Sequence, residues 1–329
     1  MTDDDALIDA LIDALIDLER YPLDQPDTAA YRAAVAAARD ELQDDGCAII
    51  RDLVRPEAVE KLNAEIKDRK PTTHFSTQLI NPYFHTVRDD AFPDRHPINT
   101  FIERSSGFIP GDSWRLDDAM TSLFRSPELT SFLEQCLGVP KLHCYADPLA
   151  GLTANVLDPG QQFTWHFDTN EFAVTILVDE ADDGGLFEYV PAIRSTTDEG
   201  FDAIQAVLEG GREGVRTLDL RPGDLQIFRG RHSLHRVTRV PAASSARHAA
   251  IFAYTLEPGV IGRVERTRQL FGRVLPEHVH AEEERVQRRT RRLTLNLRAP
   301  AGAQPIASRS PQRWPSARCT VPDLRIAIH

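Results

Sequence analysis

The stretch "QFTWHFDTNEFAVTILVDE" (162–180) decides how the rest of the chain is read. Two short apolar runs, 162–168 and 172–178, flank a polar turn and read as consecutive strands. In an extended strand, residues two apart point to the same side, so His166 and Asp168 can converge on one point. A His-x-Asp pair is also an ordinary polar strand end, and the pair by itself separates the two readings poorly. The surrounding sequence decides between them.

The same texture runs from Pro140 to Thr255. Strands are predicted at 142–146, 152–157, 186–190, 215–220, 225–229, 234–240 and 248–255. Turn signals separate them: "DPGQ" (158–161), "DDGG" (182–185), "RPGD" (221–224) and "VPAASSA" (240–246). One helix, "DEGFDAIQAVLEG" (198–210), interrupts the series. Many short strands at this spacing indicate a sandwich, a jelly roll or a barrel.

Helices precede the strands. "ALIDALIDALID" (6–17) repeats a four-residue unit, which lines Leu7, Leu11 and Leu15 with Ile8, Ile12 and Ile16 along one stripe. Such a helix either pairs with a partner, as in a homodimer, or packs on its own domain. "DTAAYRAAVAAARDELQDDG" (27–46) is a second helix, which Asp27 or Thr28 can cap and Gly46 can end. "CAIIRDLV" (47–54) reads as a strand and "RPEAVEKLNAEIKD" (55–68) as a helix with Pro56 in its first turn. Residues 70–115, rich in Pro, His, Asn and aromatics, show little periodicity and read as a lid or binding loop. Short helices follow at 117–138, and helix returns at 264–292. The expected division is N-terminal helices over 1–46, the main domain over 47–292, and a basic, unstructured tail over 293–329.

Formal net charge is −12 over 329 residues. Residues 285–329 carry ten Arg and one Asp, so the excess of acid lies in residues 1–284. A body this acidic repels nucleic acid and anionic membrane. No apolar run reaches membrane-spanning length, and "MTDDDALIDA" lacks the basic start and apolar core of a secretory signal, which leads us to expect a cytoplasmic protein. Cys47, Cys136, Cys144 and Cys319 form no C-x-x-C pair and read as reduced, mostly buried thiols.

A facial non-haem iron site needs two His and one carboxylate, with further positions open. "RPGDLQIFRGRHSLHRVTRV" (221–240) offers His232 and His235. His235 is favoured because it starts a strand, whereas His232 sits in the preceding turn. Twelve residues on, Arg247 heads "RHAAIFAYT". If 234–240 and 248–255 pair as a hairpin, Arg247 lies near the mouth of the same barrel, where a guanidinium can pair with a carboxylate reaching in from the metal.

"HFD", "SLHRV" and "RH" on a series of short strands resemble the iron(II)- and 2-oxoglutarate-dependent oxygenases. "DGCAIIRDLVRPEAVEKLNAEI" (45–66) resembles the entry segment of their phytanoyl-CoA-hydroxylase-like branch, and "GGLFEYVPAIRS" (184–195) the strand and turn after the metal motif there. "FDTNEFAVTILVDE", "GDLQIFRGRHSLHRVT" and "IFAYTLEPGVIGRVERTRQLFGRVLP" are similar to the subgroup of free-amino-acid hydroxylases and halogenases. The resemblance covers roughly residues 40–275. It implies an α+β fold, a double-stranded β-helix (jelly roll) with flanking N-terminal and C-terminal helices. It implies Fe(II) on His166, Asp168 and His235, 2-oxoglutarate as co-substrate with its far carboxylate on Arg247, and dioxygen as the third reactant. The implied reaction is hydroxylation of an unactivated C–H bond of a small polar metabolite, such as a free amino acid or a derivative. The same iron can serve halogenation, desaturation or cyclisation; a different class of reading is a jelly-roll binding module with a vestigial His-x-Asp.

For the small-molecule substrate, Asn170 and Glu171 follow the metal motif and could face the pocket mouth, with Glu171 on a substrate ammonium. Arg104, in "FIERSSGFIPGD", could bind a substrate carboxylate or be an exposed arginine. Tyr145 and Asn155 lie on strands before the motif and could line the pocket. His278 and His280 sit at a helix start, where residues two apart diverge, and are not read as ligands. One departure matters: the lysine halogenases of the resembled subgroup carry Gly where this chain has Asp168. Phe163 and Thr169 also lack the polarity to grip a lysine amine, so lysine is not expected as substrate.

Overall fold

The computed structural model describes residues 12–298. Its strands are β1 (Cys47–Ile50), β2 (His74–Ile80), β3 (Ile102–Ile109), β4 (His143–Cys144), β5 (Leu152–Leu157), β6 (Phe163–His166), β7 (Ala173–Asp179), β8 (Phe187–Val190), β9 (Arg216–Leu218), β10 (Leu225–Phe228), β11 (Leu234–Val237), β12 (Arg247–Phe252) and β13 (Tyr254–Thr255). Its helices are α1 (Ala29–Asp44), α2 (Pro56–Arg69), α3 (Ala119–Arg125), α4 (Pro127–Leu137), α5 (Phe201–Leu208), α6 (Val264–Phe271) and α7 (Pro276–Arg298).

The large sheet has the order β1-β10-β7-β12-β5-β3-β2, and the small sheet β6-β11-β8-β9. From β5 onward the chain passes back and forth between them: β5 large, β6 small, β7 large, β8 and β9 small, β10 large, β11 small, β12 large. That alternation is the double-stranded β-helix, an α+β fold with helices before and after it. All the pairings within these sheets are antiparallel.

Side-chain alternation divides the large sheet into two faces. Leu152, Ala154 and Val156 of β5, Val174, Ile176 and Val178 of β7, Leu225 and Ile227 of β10, and Ala250 and Phe252 of β12 pack outward in one apolar cluster. Tyr31, Val35, Ala38 and Leu42 of α1, Ala58, Leu62 and Ile66 of α2, and Phe132 of α4 complete it. The intervening residues turn toward the small sheet and include Asn155, Thr175, Gln226, Arg247 and Ala249. The largest apolar cluster thus lies on one face, and the polar groups lie between the sheets beside smaller apolar clusters.

Thr28 caps α1, its Oγ1 accepting from Tyr31 N at 3.3 Å, and Gly46 follows the helix at φ +65°. The described end of the N-terminal helix, residues 12–15, buries Ile12 and Leu15 in the same core, so it packs on its own domain. The rest of that repeat lies outside the described residues, as do Cys319 and the tail beyond residue 298. Cys47 and Cys136 are buried and Cys144 partly so, all as free thiols.

Three expectations are corrected. Residues 70–115 contain two strands, β2 and β3, paired over seven residues from His74↔Phe108 to Ile80↔Ile102. Their pattern was hidden because β2 alternates without a strong apolar face, and β3 buries Arg104, Ser105 and Ser106. Segments 234–240 and 248–255 do not form a hairpin: β11 pairs with β6 and β8, and β12 with β5 and β7. The turn at 241–246 crosses between sheets, a gap of about 10 Å. The last helix runs on to Arg298 rather than ending by 292.

His248, on the outer face of β12, fastens α2 to the sheet: Nδ1 bonds Asn63 Oδ1 at 3.0 Å, and Asn63 Nδ2 donates to Asp179 at 2.8 Å. Nε2 is buried without a partner, and burial lowers the imidazole to about 4. The folded state therefore resists a proton that the unfolded chain accepts near 6.5. Stability from this group is full above that value and is lost as pH falls toward 4, by up to about 3 kcal/mol. Denaturant titrations of the metal-free protein from pH 7.5 to 4.5 should show this loss. His248→Gln should give a shallower profile over that window; an unchanged slope would contradict the assignment.

Candidate active site

β6 and β11 are neighbours, and their register sets His235 directly opposite His166. The two imidazoles lie 4.0 Å apart between ring centroids. Each Nδ1 faces the carbonyl two residues back: His166 to Thr164 O at 2.8 Å, His235 to Ser233 O at 3.0 Å. A carbonyl only accepts, so each neutral ring must carry its proton on Nδ1, which leaves both Nε2 lone pairs free. Asp168 Oδ1 stands 3.8 Å from Nε2 of His166 and 3.5 Å from Nε2 of His235. Ligand atoms of all three lie within 4.8 Å of one another. Burial, and then the neighbouring His235, hold His166 well below its ordinary value, so it is neutral at physiological pH. Burial pulls Asp168 upward, but His235, His166 and Arg266 together bring it below the usual carboxylate range.

This is a two-histidine, one-carboxylate facial triad.

It opens on a cavity of 420 Å³ between the sheets and the C-terminal helices, lined by Phe108, Tyr145, Phe163, Asn170, Arg266 and Phe271 among others. His235 is enclosed by Phe187 and Phe228, and Phe163 stacks on His166 at 4.1 Å. Other clefts, between the N-terminal segment and residues 127–135, are larger but contain no cluster of metal-ligating groups among the described residues.

The remaining candidates fall in different places. Arg247 begins β12 and is buried on its inner face; burial lowers it to about 10, so it keeps its charge at neutral pH. No described residue lies within ion-pair or hydrogen-bond distance of its guanidinium. Ala249, the next residue on the same face, is small and leaves the inner surface open. Tyr145 and Asn170 line the cavity. Glu171 is exposed and does not. Asn155 is buried and donates to Gly107 O at 3.2 Å, tying β5 to β3 rather than lining the cavity. Arg104 is wholly buried, not exposed, behind the Phe163 ring. His232 stands outside the triad, its Nδ1 unpartnered. His278 is buried against Asp147 at 3.0 Å, whose carboxylate also accepts from Gly262 N, so this pair holds α7 to the cavity rim. His280 is exposed and paired with Glu284.

Two residues of the site were not foreseen. Arg266 lines the cavity from α6, and nothing in its helical context marks it from sequence. Gly230 accepts at its carbonyl from Asp168 N at 3.0 Å, and a Cβ there would lie 1.8 Å from Asp168 Oδ2. The glycine of "RGR" is the signal that could have found it.

Residues 115–260 match the family model described as HalD, Halogenase D. None of the curated proteins matches the chain significantly. Similar solved structures include an oxidoreductase of the 2OG-Fe(II) oxygenase family from Burkholderia pseudomallei (13% identity, 68% of this chain and 91% of that one, TM-score 0.45). A Pseudomonas putida prolyl-4-hydroxylase is similar at 14% identity, 67% and 98% coverage and TM-score 0.41. The non-heme alpha ketoglutarate dependent epimerase SnoN from nogalamycin biosynthesis is similar at 12% identity, 68% and 83% coverage and TM-score 0.46.

Gly230→Ala should push the Asp168 carboxylate out of the triad without removing a ligand. We expect metal affinity to fall by roughly tenfold or more, as for other supporting positions around metals, while the melting temperature of the metal-free protein changes little. Calorimetric titration with Mn(II) checks this; undiminished affinity would show that the close approach is dispensable.

Proposed function

We propose that this protein is an iron(II)- and 2-oxoglutarate-dependent oxygenase that hydroxylates an unactivated C–H bond of a small polar metabolite, of the class of free amino acids and their derivatives. The observation that carries the reading is the convergence of His166, Asp168 and His235 at a cavity between the sheets of a double-stranded β-helix. The donor set fits the metal: two imidazoles whose Nδ1 atoms face backbone carbonyls and whose Nε2 atoms face one point, and one carboxylate. When bound, the iron would couple oxidative decarboxylation of 2-oxoglutarate by dioxygen to oxidation of the substrate.

The chain's own residues supply the rest. The backbone carbonyls of Thr164 and Ser233 fix both imidazoles in one tautomer. Arg247, charged and unpaired on the inner face of β12, would receive the far carboxylate of 2-oxoglutarate. Phe108, Phe163, Phe172 and Phe271 give the cavity an apolar wall that excludes water from the reacting carbon.

The match to the halogenase model over residues 115–260 supports a second reading, a different outcome on the same metal. Asp168 opposes halogenation, because it occupies the ligand position that glycine leaves open in the lysine halogenases this chain resembles. Desaturation or cyclisation needs no such vacancy.

The test is turnover in chloride buffer with candidate acids and amino acids, reading succinate and product mass. Succinate with a gain of one oxygen is expected. A chlorinated product would overturn the hydroxylase reading, and loss of two hydrogens would favour the second one. His235→Ala should abolish turnover and His232→Ala should not. Arg247→Gln should raise the 2-oxoglutarate requirement by roughly thirtyfold or more, the cost of removing one partner of a buried charge pair.

A further inference from the structure

The wall of the cavity is short of acid. Among the described residues that line it, Asp168 is the only carboxylate, whereas Arg263, Arg266 and Arg285 all reach it. Arg263 and Arg285 are paired with Glu282, at 2.9 and 2.8 Å. Arg266 has no described carboxylate within ion-pair distance; its Nη1 donates to Gln269 Oε1 at 2.6 Å, and its guanidinium lies 3.4 Å from the centre of the Phe84 ring. Phe84 itself adopts a left-handed backbone, φ +66°, and its ring abuts His166 at 5.2 Å. For a bulky side chain that conformation is costly and is held by its surroundings. Here Asn81 holds it, accepting from the amides of Tyr83 and His85.

Arg104 stands close behind. It is wholly buried, with its Cζ 5.6 Å from the centre of the Phe163 ring that stacks on His166. Its Nη2 donates to Ser76, but Nε and Nη1 have no partner. Burial, with Arg104 adding, lowers Arg266 to about 9, and burial lowers Arg104 to about 10, so both remain charged at neutral pH. Arg104 is wholly buried and Arg266 half-buried, and neighbouring cations so placed with no carboxylate at ion-pair distance cost stability that a bound anion would offset. Asp168 interacts with Arg266 but lies beyond ion-pair distance, and its charge would be committed to the metal when one is bound.

We infer that Arg266, with Arg104 supplying a second positive charge behind it, receives the acid group of the substrate, so that the cavity selects a small carboxylic acid of net negative charge, of the class of dicarboxylates and N-acylated amino acids, over an amine-bearing metabolite. This narrows the proposed substrate class to members whose amine is masked or absent, and it rests on the oxygenase reading. Besides Asp168, no described lining residue is an acid that could hold an ammonium: Glu171, the candidate for that role, is exposed outside the cavity. Arg247 is a separate cation, on the inner face of β12, and is left for the co-substrate.

The test is calorimetric binding to protein loaded with Mn(II) and saturated with 2-oxoglutarate under anaerobic conditions. The probes are adipate and N-acetylglutamate against lysine and 1,5-diaminopentane. The acids should bind and the amines should not. Arg266→Gln should weaken acid binding by roughly thirtyfold or more, Arg266→Lys should retain part of it, and the 2-oxoglutarate affinity of both variants should match the parent. Three results would overturn the inference: amines binding as well as acids, no acid binding, or acid affinity unchanged in Arg266→Gln. An equal loss of 2-oxoglutarate affinity would also overturn it, by placing Arg266 in the co-substrate site. Failure of the parent to bind 2-oxoglutarate at all would refute the oxygenase reading instead, and acid binding to the Mn(II)-loaded protein alone would still separate the two.

Discussion

The pairing of β6 with β11 is the constraint on which the site depends. It sets His166 opposite His235, and a slip of either strand by one residue would turn its imidazole to the other face of the small sheet, away from its partner. The outer face locks that register. Arg236 on β11 lies 4.5 Å from the centre of the Trp165 ring on β6 and donates through Nε to Glu188 on β8 at 2.7 Å. Arg212 binds the same carboxylate through both of its terminal nitrogens. Opposite charges gripping three neighbouring strands on one face thus define where two histidines stand on the other. Asp168 follows two residues after His166 and is kept in place by the Gly230 backbone.

The interior between the sheets holds two histidines, a carboxylate and buried arginines, an arrangement that costs stability when no ligand is bound. The fold offsets this elsewhere. The opposite face of the large sheet packs a continuous apolar layer against α1, α2 and α4, where truncating one residue such as Leu62 to Ala would cost about 2–5 kcal/mol. Separation of the two faces by strand alternation lets one sheet be both scaffold and lining. The polar face can then vary in Asn155, Thr175, Gln226 and Arg247 without disturbing the helices.

Much of this was legible in sequence. The strands from 142 to 255 are short, apolar and separated by Gly, Pro and Asp turns, so their existence and order could be read, and His-x-Asp with a later strand-starting His pointed to the triad. Where reading stopped, a tertiary cause can be named. β2 and β3 were missed because their buried side chains include Arg104, Ser105 and Ser106, which carry no apolar period. The false hairpin arose because pairing between adjacent strands is the default, whereas a jelly roll sends the chain across to the other sheet. Glu171 and Asn155 were placed by sequence distance from the motif, and only the turn geometry and the contact with Gly107 show that neither lines the cavity. Arg266 lies about a hundred residues after the motif on a separate helix, and no local pattern could bring it there.

The central claim is that the triad binds iron which 2-oxoglutarate then chelates. Anaerobic titration with Fe(II) followed by 2-oxoglutarate tests it most directly, through the visible charge-transfer absorption that appears when a keto acid chelates iron(II). One iron per chain and a saturating absorption band are expected, with no band in a folded His166→Ala variant. A protein that folds and binds iron without developing the band, or that develops it equally without His166, would contradict the claim.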